Sequence, residues 1–207
     1  MASLAAARQS GNPITTQDSK ILPGLVAGLD EDSRLSVLHV GPACSDTLDF
    51  FAGFRSRLYI TDAFTELPLK SPEDAELSYF DQWREILQLP ESAQYDLCLF
   101  WDLFNFLSPD ALAAFSQVLA PHLHRETRGH AFSVHNPRHS LQNCLYGIRD
   151  ANTLSARPRQ HVPEGYAPLS QRQLSEALGC FTIERSVLLA DSRLELSLRA
   201  KGPAQNS

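Results

Sequence analysis

The chain has 207 residues, 43% of them hydrophobic and 9% aromatic, with 18 basic and 24 acidic side chains and a formal charge of −6. That much apolar surface excludes disorder over the whole length. A membrane-spanning helix is excluded as well, since no apolar run exceeds five residues and a span needs about 20. The acidic total argues against a general nucleic-acid binder. Cys44, Cys98, Cys144 and Cys180 are scattered and form no metal-ligand spacing, which reads as a reduced, cytoplasmic protein. The stretch Met1–Arg8 lacks the basic start of a signal peptide. The chain up to about residue 20 and the tail 202–207 read as loose, leaving 21–201 as a single domain.

In chain order, Leu35–Val40 is a short strand that stops at Gly41-Pro42, and a helix follows with Leu48, Phe51 and Phe54 on one face. A second strand, Leu58–Thr61, ends at Asp62. Ser71-Pro72-Glu73-Asp74 has the composition of a helix start, and the helix expected from it carries Leu77, Phe80, Trp83 and Leu87. Tyr95–Trp101 is almost continuously apolar, as a strand covered on both faces is. Ser108-Pro109-Asp110 opens a helix with Leu112, Phe115 and Leu119, closed by Pro121. Ala131–Val134 is another strand. Ser170 and Gln173 make a capping box, and Thr182–Leu189 with the alternating Leu194, Leu196 and Leu198 makes a hairpin around Asp191-Ser192.

Strand and helix alternate four times, which predicts an α/β fold: a Rossmann-like, doubly wound, mostly parallel sheet with a C-terminal antiparallel hairpin. Ligands of such sheets sit beyond the carboxyl ends of the strands. Those ends are Gly41–Ser45, Asp62-Ala63, Trp101–Asn105 and His135-Asn136. Gly41-Pro42-Ala43 is a strand-to-helix turn with one glycine. Asp62, at the end of the next strand, is placed to accept hydrogen bonds from a ribose. A dinucleotide fingerprint fails, because Asp46 stands where its third glycine belongs and would repel a pyrophosphate. A cofactor with a ribose and no phosphate fits better.

On these residues the chain resembles the class I S-adenosylmethionine-dependent methyltransferases. The carriers are Val37–Pro42, Asp62 after Leu58-Tyr59-Ile60, Tyr95–Asn105, and the closing helix and hairpin. The resemblance implies a cofactor, S-adenosylmethionine, with its methionine part at Gly41, Pro42 and Ala43, its ribose at Asp62 and Ala63, and Trp101, Asp102 and Asn105 along its border. The glycine turn keeps only the first of the family's glycines, and no third strand is apparent between Asp62 and Tyr95. No motif names a methyl acceptor, which is a small molecule or a protein.

His135 is the candidate base, although a water-exposed loop histidine is the plainer reading. His135 and His139 share an i, i+4 spacing, but Pro137 between them disfavours the helix that would pair them, so no metal site is expected. The irregular segment 137–168 is expected to form a lid. Residues 122–172 carry 7 basic and 3 acidic side chains against 7 and 17 in residues 1–121. Arg138, Arg149, Arg157 and Arg159 therefore point to an acidic substrate or partner. The leading expectation is an S-adenosylmethionine-dependent methyltransferase of unknown substrate; the alternative is a degenerate member that keeps the fold as a binding or scaffold module. An open cavity with Asp62 facing it favours the enzyme; a cleft filled by Phe or Trp side chains favours the module.

Overall fold

A computed structural model describes residues 14–29, 34–138 and 143–202. The chain runs β1 (Thr15–Asp18), α1 (Leu22–Val26), β2 (Leu35–Val40), α2 (Ser45–Ala52), β3 (Ser56–Thr61), α3 (Tyr79–Leu87) and β4 (Tyr95–Trp101). It continues through α4 (Pro109–Leu119), β5 (Leu123–Val134), β6 (Cys144–Ile148), β7 (Thr153–Pro158), α5 (Gln171–Ala177), β8 (Phe181–Leu188) and β9 (Arg193–Ala200). Six strands form one sheet in the order β3-β2-β4-β5-β9-β8, and β1-β7-β6 form a second, three-stranded sheet.

The large sheet is mixed. The ladders β2/β3, β2/β4 and β4/β5 are parallel, whereas β5/β9 and β8/β9 are antiparallel. The antiparallel pairs come from the C-terminal hairpin, so the mostly parallel sheet expected from the alternation is only its first four strands. Among the described residues no strand lies between β3 and β4 in sequence, which leaves β3 at one edge and β8 at the other.

Alternation along the strands divides the core. On one face α3, α4 and α5 cover Leu38, Val40, Cys98 and Phe100, with Trp83, Phe115 and Phe181 fully buried among them. Each such side chain contributes about 1.5–3 kcal/mol by leaving water. The Trp83 indole also donates to the Ala111 carbonyl at 2.8 Å, tying α3 to α4. The other face buries Val37, Leu99, Trp101 and Phe132 under α1, α2 and the small sheet. Glu195, wholly buried on β9, holds the N-terminal elements there. It accepts from the ring Nε2 of His130 at 2.9 Å, from the Lys20 amide at 2.7 Å and from the Ser19 hydroxyl. Burial works to raise its carboxyl, and these donors outweigh it and hold the group below the ordinary range.

Four local expectations are corrected. The helix expected from Ser71 begins only at Tyr79: Ser71-Pro72 makes a turn, with the Asp74 amide on the Ser71 carbonyl at 2.9 Å. Ser78 is the cap, accepting from the Asp81 amide at 3.1 Å, so Trp83 and Leu87 are buried while Leu77 and Phe80 stay exposed. Leu48, expected on a buried face of α2, is exposed for the same reason: one short helix face reaches the sheet only through Thr47 and Phe51. Thr15–Asp18, expected in a loose end, is a strand because β7 pairs with it from Thr153 to Ala156. The segment 137–168, expected to be irregular, carries the antiparallel pair β6/β7.

Candidate functional site

β2 and β4 end side by side, and both ends turn sharply. Gly41 has φ of +150° and Trp101 of +53°. Glycine suits the first turn, where a Cβ would lie 3.5 Å from both the His39 ring and the Trp101 indole and 3.7 Å from Phe64. Trp101, 2% exposed, therefore lies over the glycine turn. It packs edge-on against His39 and His130, each with ring centroids 5.5 Å away, and stacks on Tyr146 of β6 at 5.8 Å.

His39 takes part through its Nε2, which lies 3.2 Å from the Pro42 carbonyl and donates to it. That fixes the neutral tautomer, leaving the buried Nδ1, like the Trp101 Nε1, without a partner among the described residues. Burial pushes the His39 pKa down to about 4, against a smaller opposing pull from the Pro42 carbonyl.

Asp102 and Asn105 follow β4 and are both buried, which a polar pair tolerates only with partners. Asp102 finds Arg159, just beyond β7, at 2.9 Å, with 5% and 6% of the two side chains exposed. The Arg159 guanidinium lies over the Phe64 ring, 3.7 Å from its centre, and its Nε donates to the Cys144 carbonyl at 3.1 Å. Burial raises the Asp102 carboxyl above its ordinary range, with Arg159 opposing. Asn105 donates to the Phe132 carbonyl at 3.3 Å, and its own carbonyl accepts the Ala167 amide at 2.9 Å.

Asp62 is half-buried, and its carboxylate accepts the Phe64 amide at 3.2 Å. Burial raises its carboxyl, with the Phe64 amide and the charge of Arg159 opposing. It lines one end of a cavity of about 1380 Å³ that runs between β3 and the segment from Glu66 to Pro90. Ala63 is buried, Pro42 partly so, and Ala43 is exposed.

The small sheet closes the top. A Cβ on Gly147 of β6 would lie 2.5 Å from the Cys44 sulfur and 2.9 Å from the Ser155 hydroxyl, so β6 rests directly on the N-terminal end of α2. The Thr47 hydroxyl accepts the Ile148 amide at 3.1 Å. Arg193 fastens the far side: it donates to Tyr146 at 2.8 Å, to Gln17 at 2.5 Å and to Asp191 at 2.7 Å, over the Phe132 ring.

The structure thus brings Gly41, Asp62, Ala63, Trp101, Asp102 and Asn105 to one edge, yet the space between them holds His39, Trp101, Phe64 and Arg159. Residues placed this way do not fit S-adenosylmethionine unless the segment that carries Arg159 moves. His135 is apart from them, exposed, with only its amide bonded to the Ser192 carbonyl at 3.2 Å; His139 lies outside the described residues. Of the four arginines expected to face an anion, Arg159 is instead turned inward and neutralised, because Asp102 needs a cation. Arg159 was legible only as an anion-facing arginine, and His39, Phe64, Tyr146 and Arg193 were not legible as site residues. Asp102 lies 57 residues from Arg159 in sequence and Tyr146 lies 47 from Arg193.

No protein-family model matches the chain, and no curated protein does. Solved structures do. The complex of LepI with SAM aligns with a TM-score of 0.52 at 11% identity over 89% of this chain and 47% of its own, and a structure described as a pericyclic reaction enzyme aligns with the same figures. The mitomycin 7-O-methyltransferase MmcR aligns at 0.49 with 14% identity over 86% and 53%. An S-adenosylmethionine-dependent methyltransferase from Clostridium acetobutylicum aligns at 0.48 with 12% identity over 90% and 93%. The chain spans about half the length of LepI and of MmcR. At these identities the likeness is one of fold alone, a class I methyltransferase-like fold.

Proposed function

We propose that this protein keeps the methyltransferase-like fold as a binding or scaffold module and does not carry out S-adenosylmethionine-dependent methyl transfer. The observation that carries the reading is the position of Arg159, whose guanidinium lies between Asp102 and the face of Phe64 where a cofactor would enter. Three further features support it. One glycine remains in the turn, Trp101 covers that turn, and Asn105 is committed to the backbone. A shared fold does not carry a reaction with it. The four cysteines are free thiols, in keeping with a reducing, cytoplasmic setting. Among the described residues no helix is long and apolar enough to cross a membrane. Arg138 and Arg149 stay exposed, which leaves them free to meet an acidic partner.

One observation favours the second reading, a methyltransferase of unknown acceptor: Asp62 keeps a carboxylate beside the open cavity. Calorimetric titration with S-adenosylmethionine and S-adenosylhomocysteine separates the two. The module reading expects no heat at about millimolar ligand. Saturable binding that Asp62→Ala abolishes would overturn it.

A further inference from the structure

β3 is an edge strand with an unusual outer side. The Leu35 amide bonds the Arg55 carbonyl at 3.0 Å, and the Gly41 amide bonds the Thr61 carbonyl at 2.7 Å. With the unbroken parallel register from Leu35↔Ser56 to Val40↔Thr61, these bonds turn odd-numbered backbone groups toward β2. The N–H and C=O of Leu58 and Ile60 consequently face outward, and among the described residues no backbone hydrogen bond reaches them. Proteins usually guard such an edge with a bulge, a proline or charge. β8, the opposite edge, has both a register break between Ile183 and Arg185 and the charged pair Glu184-Arg185. β3 has no bulge and no proline; its one charged side chain, Arg57, is exposed and donates to the Tyr59 hydroxyl at 3.2 Å, and Ile60 stands 38% exposed.

The cavity of about 1380 Å³ lies along this strand, with Tyr59, Ile60, Ile86 and Leu89 in its wall. Its rim carries Glu66, Asp74, Glu76 and Glu85 against the single cation Lys70. All four carboxylates are exposed, and among the described residues none is in an ion pair.

From this we infer that the β3 edge is a docking site for an extended segment of a partner protein, one that alternates Lys or Arg with apolar residues. The segment adds a strand to the sheet through Leu58 and Ile60, lays its apolar side chains on Tyr59 and Ile86, and offers its cations to the acidic rim. A second copy of this chain is the poorer occupant, because pairing two such edges sets the two acidic rims against each other. The surface stands whether or not S-adenosylmethionine enters the cleft.

The test uses the full chain and fluorescently labelled octapeptides that alternate Val, Ile or Tyr with Lys or Arg. Matched Glu/Asp peptides and N-methylated versions of the basic set serve as controls. Expected are anisotropy increases with the basic set alone, weakening with salt, together with slowed hydrogen exchange at the Leu58 and Ile60 amides. N-methylation along one edge should abolish binding. The exposed triple change Glu66→Lys, Asp74→Lys and Glu76→Lys should weaken it about tenfold or more. Failure of every basic peptide to bind overturns the proposal, and so does binding that leaves the two amides unprotected. Concentration-dependent self-association that protects those amides would replace the partner by a second copy and overturn it equally.

Discussion

Arg159 and Asp102 form an ion pair 2.9 Å long that joins the chain beyond β7 to the end of β4 and is almost entirely removed from water. Such a pair stabilises little by itself, but breaking it leaves one charge buried and uncompensated. Arg159→Met should destabilise the protein by about 3–5 kcal/mol, with denaturant unfolding as the readout. The loss should shrink as pH falls. Burial already raises the Asp102 carboxyl; without its cation the cost is present above its folded pKa and is relieved as it takes up a proton. The double variant Asp102→Asn/Arg159→Met should recover much of the stability and lose that acid dependence. A single variant as stable as the parent at neutral pH would mean that the lid is held elsewhere.

Gly147 tests that alternative from the other end of the lid. Its hydrogen faces the Cys44 sulfur, and an added methyl group would lie 2.5 Å from it and 2.9 Å from the Ser155 hydroxyl. β6 cannot retreat freely, since the Ile148 amide is bonded to Thr47. Gly147→Ala should therefore cost about 1–3 kcal/mol and speed hydrogen exchange in β6 and β7 ahead of β2 and β4. Adding Cys44→Ala makes room and should return part of the loss. Uniform acceleration across both sheets would show that the lid and the core open together.

The three expected serine caps show where local pattern is enough and where it fails. Ser108 and Ser170 cap their helices as expected, the former beside the apolar face of α4 and the latter with a full capping box to Gln173 and Leu174 buried. Ser71-Pro72-Glu73-Asp74 has the same chemistry, yet the residues after it, Ala75-Glu76-Leu77, have nothing to pack on until Trp83 reaches Ala111 and Phe115. Tertiary contact chose Ser78 instead. The strands were legible for the converse reason: Tyr95–Trp101 is apolar throughout because both faces are covered. β5 was read only from Ala131 onward, since its first half, Leu123–Gly129, is polar where it runs past β4 with a break in register. The edge where the strands end was legible as a place in the fold, through Gly41, Asp62 and Asp102. What fills it was not, because Arg159 and Tyr146 arrive from a segment with no periodic signal. Ser78→Ala should cost about 1 kcal/mol and Ser71→Ala no more than about 0.5 kcal/mol in thermal unfolding. The reverse order would restore the longer helix.

His39 makes the closed cleft sensitive to acid. Its ring is 1% exposed, and its pKa in the folded protein is about 4 against an ordinary value of 6.5. Between these values the unfolded chain binds a proton that the folded one refuses. The contribution of neutral His39 is thus complete above about pH 6.5 and is lost as pH falls toward about 4, by up to about 3 kcal/mol. Protonation would place a cation against the Trp101 edge with Nδ1 facing no acceptor, so the glycine turn is where the structure should loosen first. His39→Phe keeps the ring and removes the titration. Its stability should fall less than the parent's between neutral pH and about pH 5, measured by denaturant titration with the fluorescence of Trp101 as reporter and Trp83→Phe as background. Parallel losses in the two proteins would assign the acid sensitivity to the buried carboxylates and not to His39.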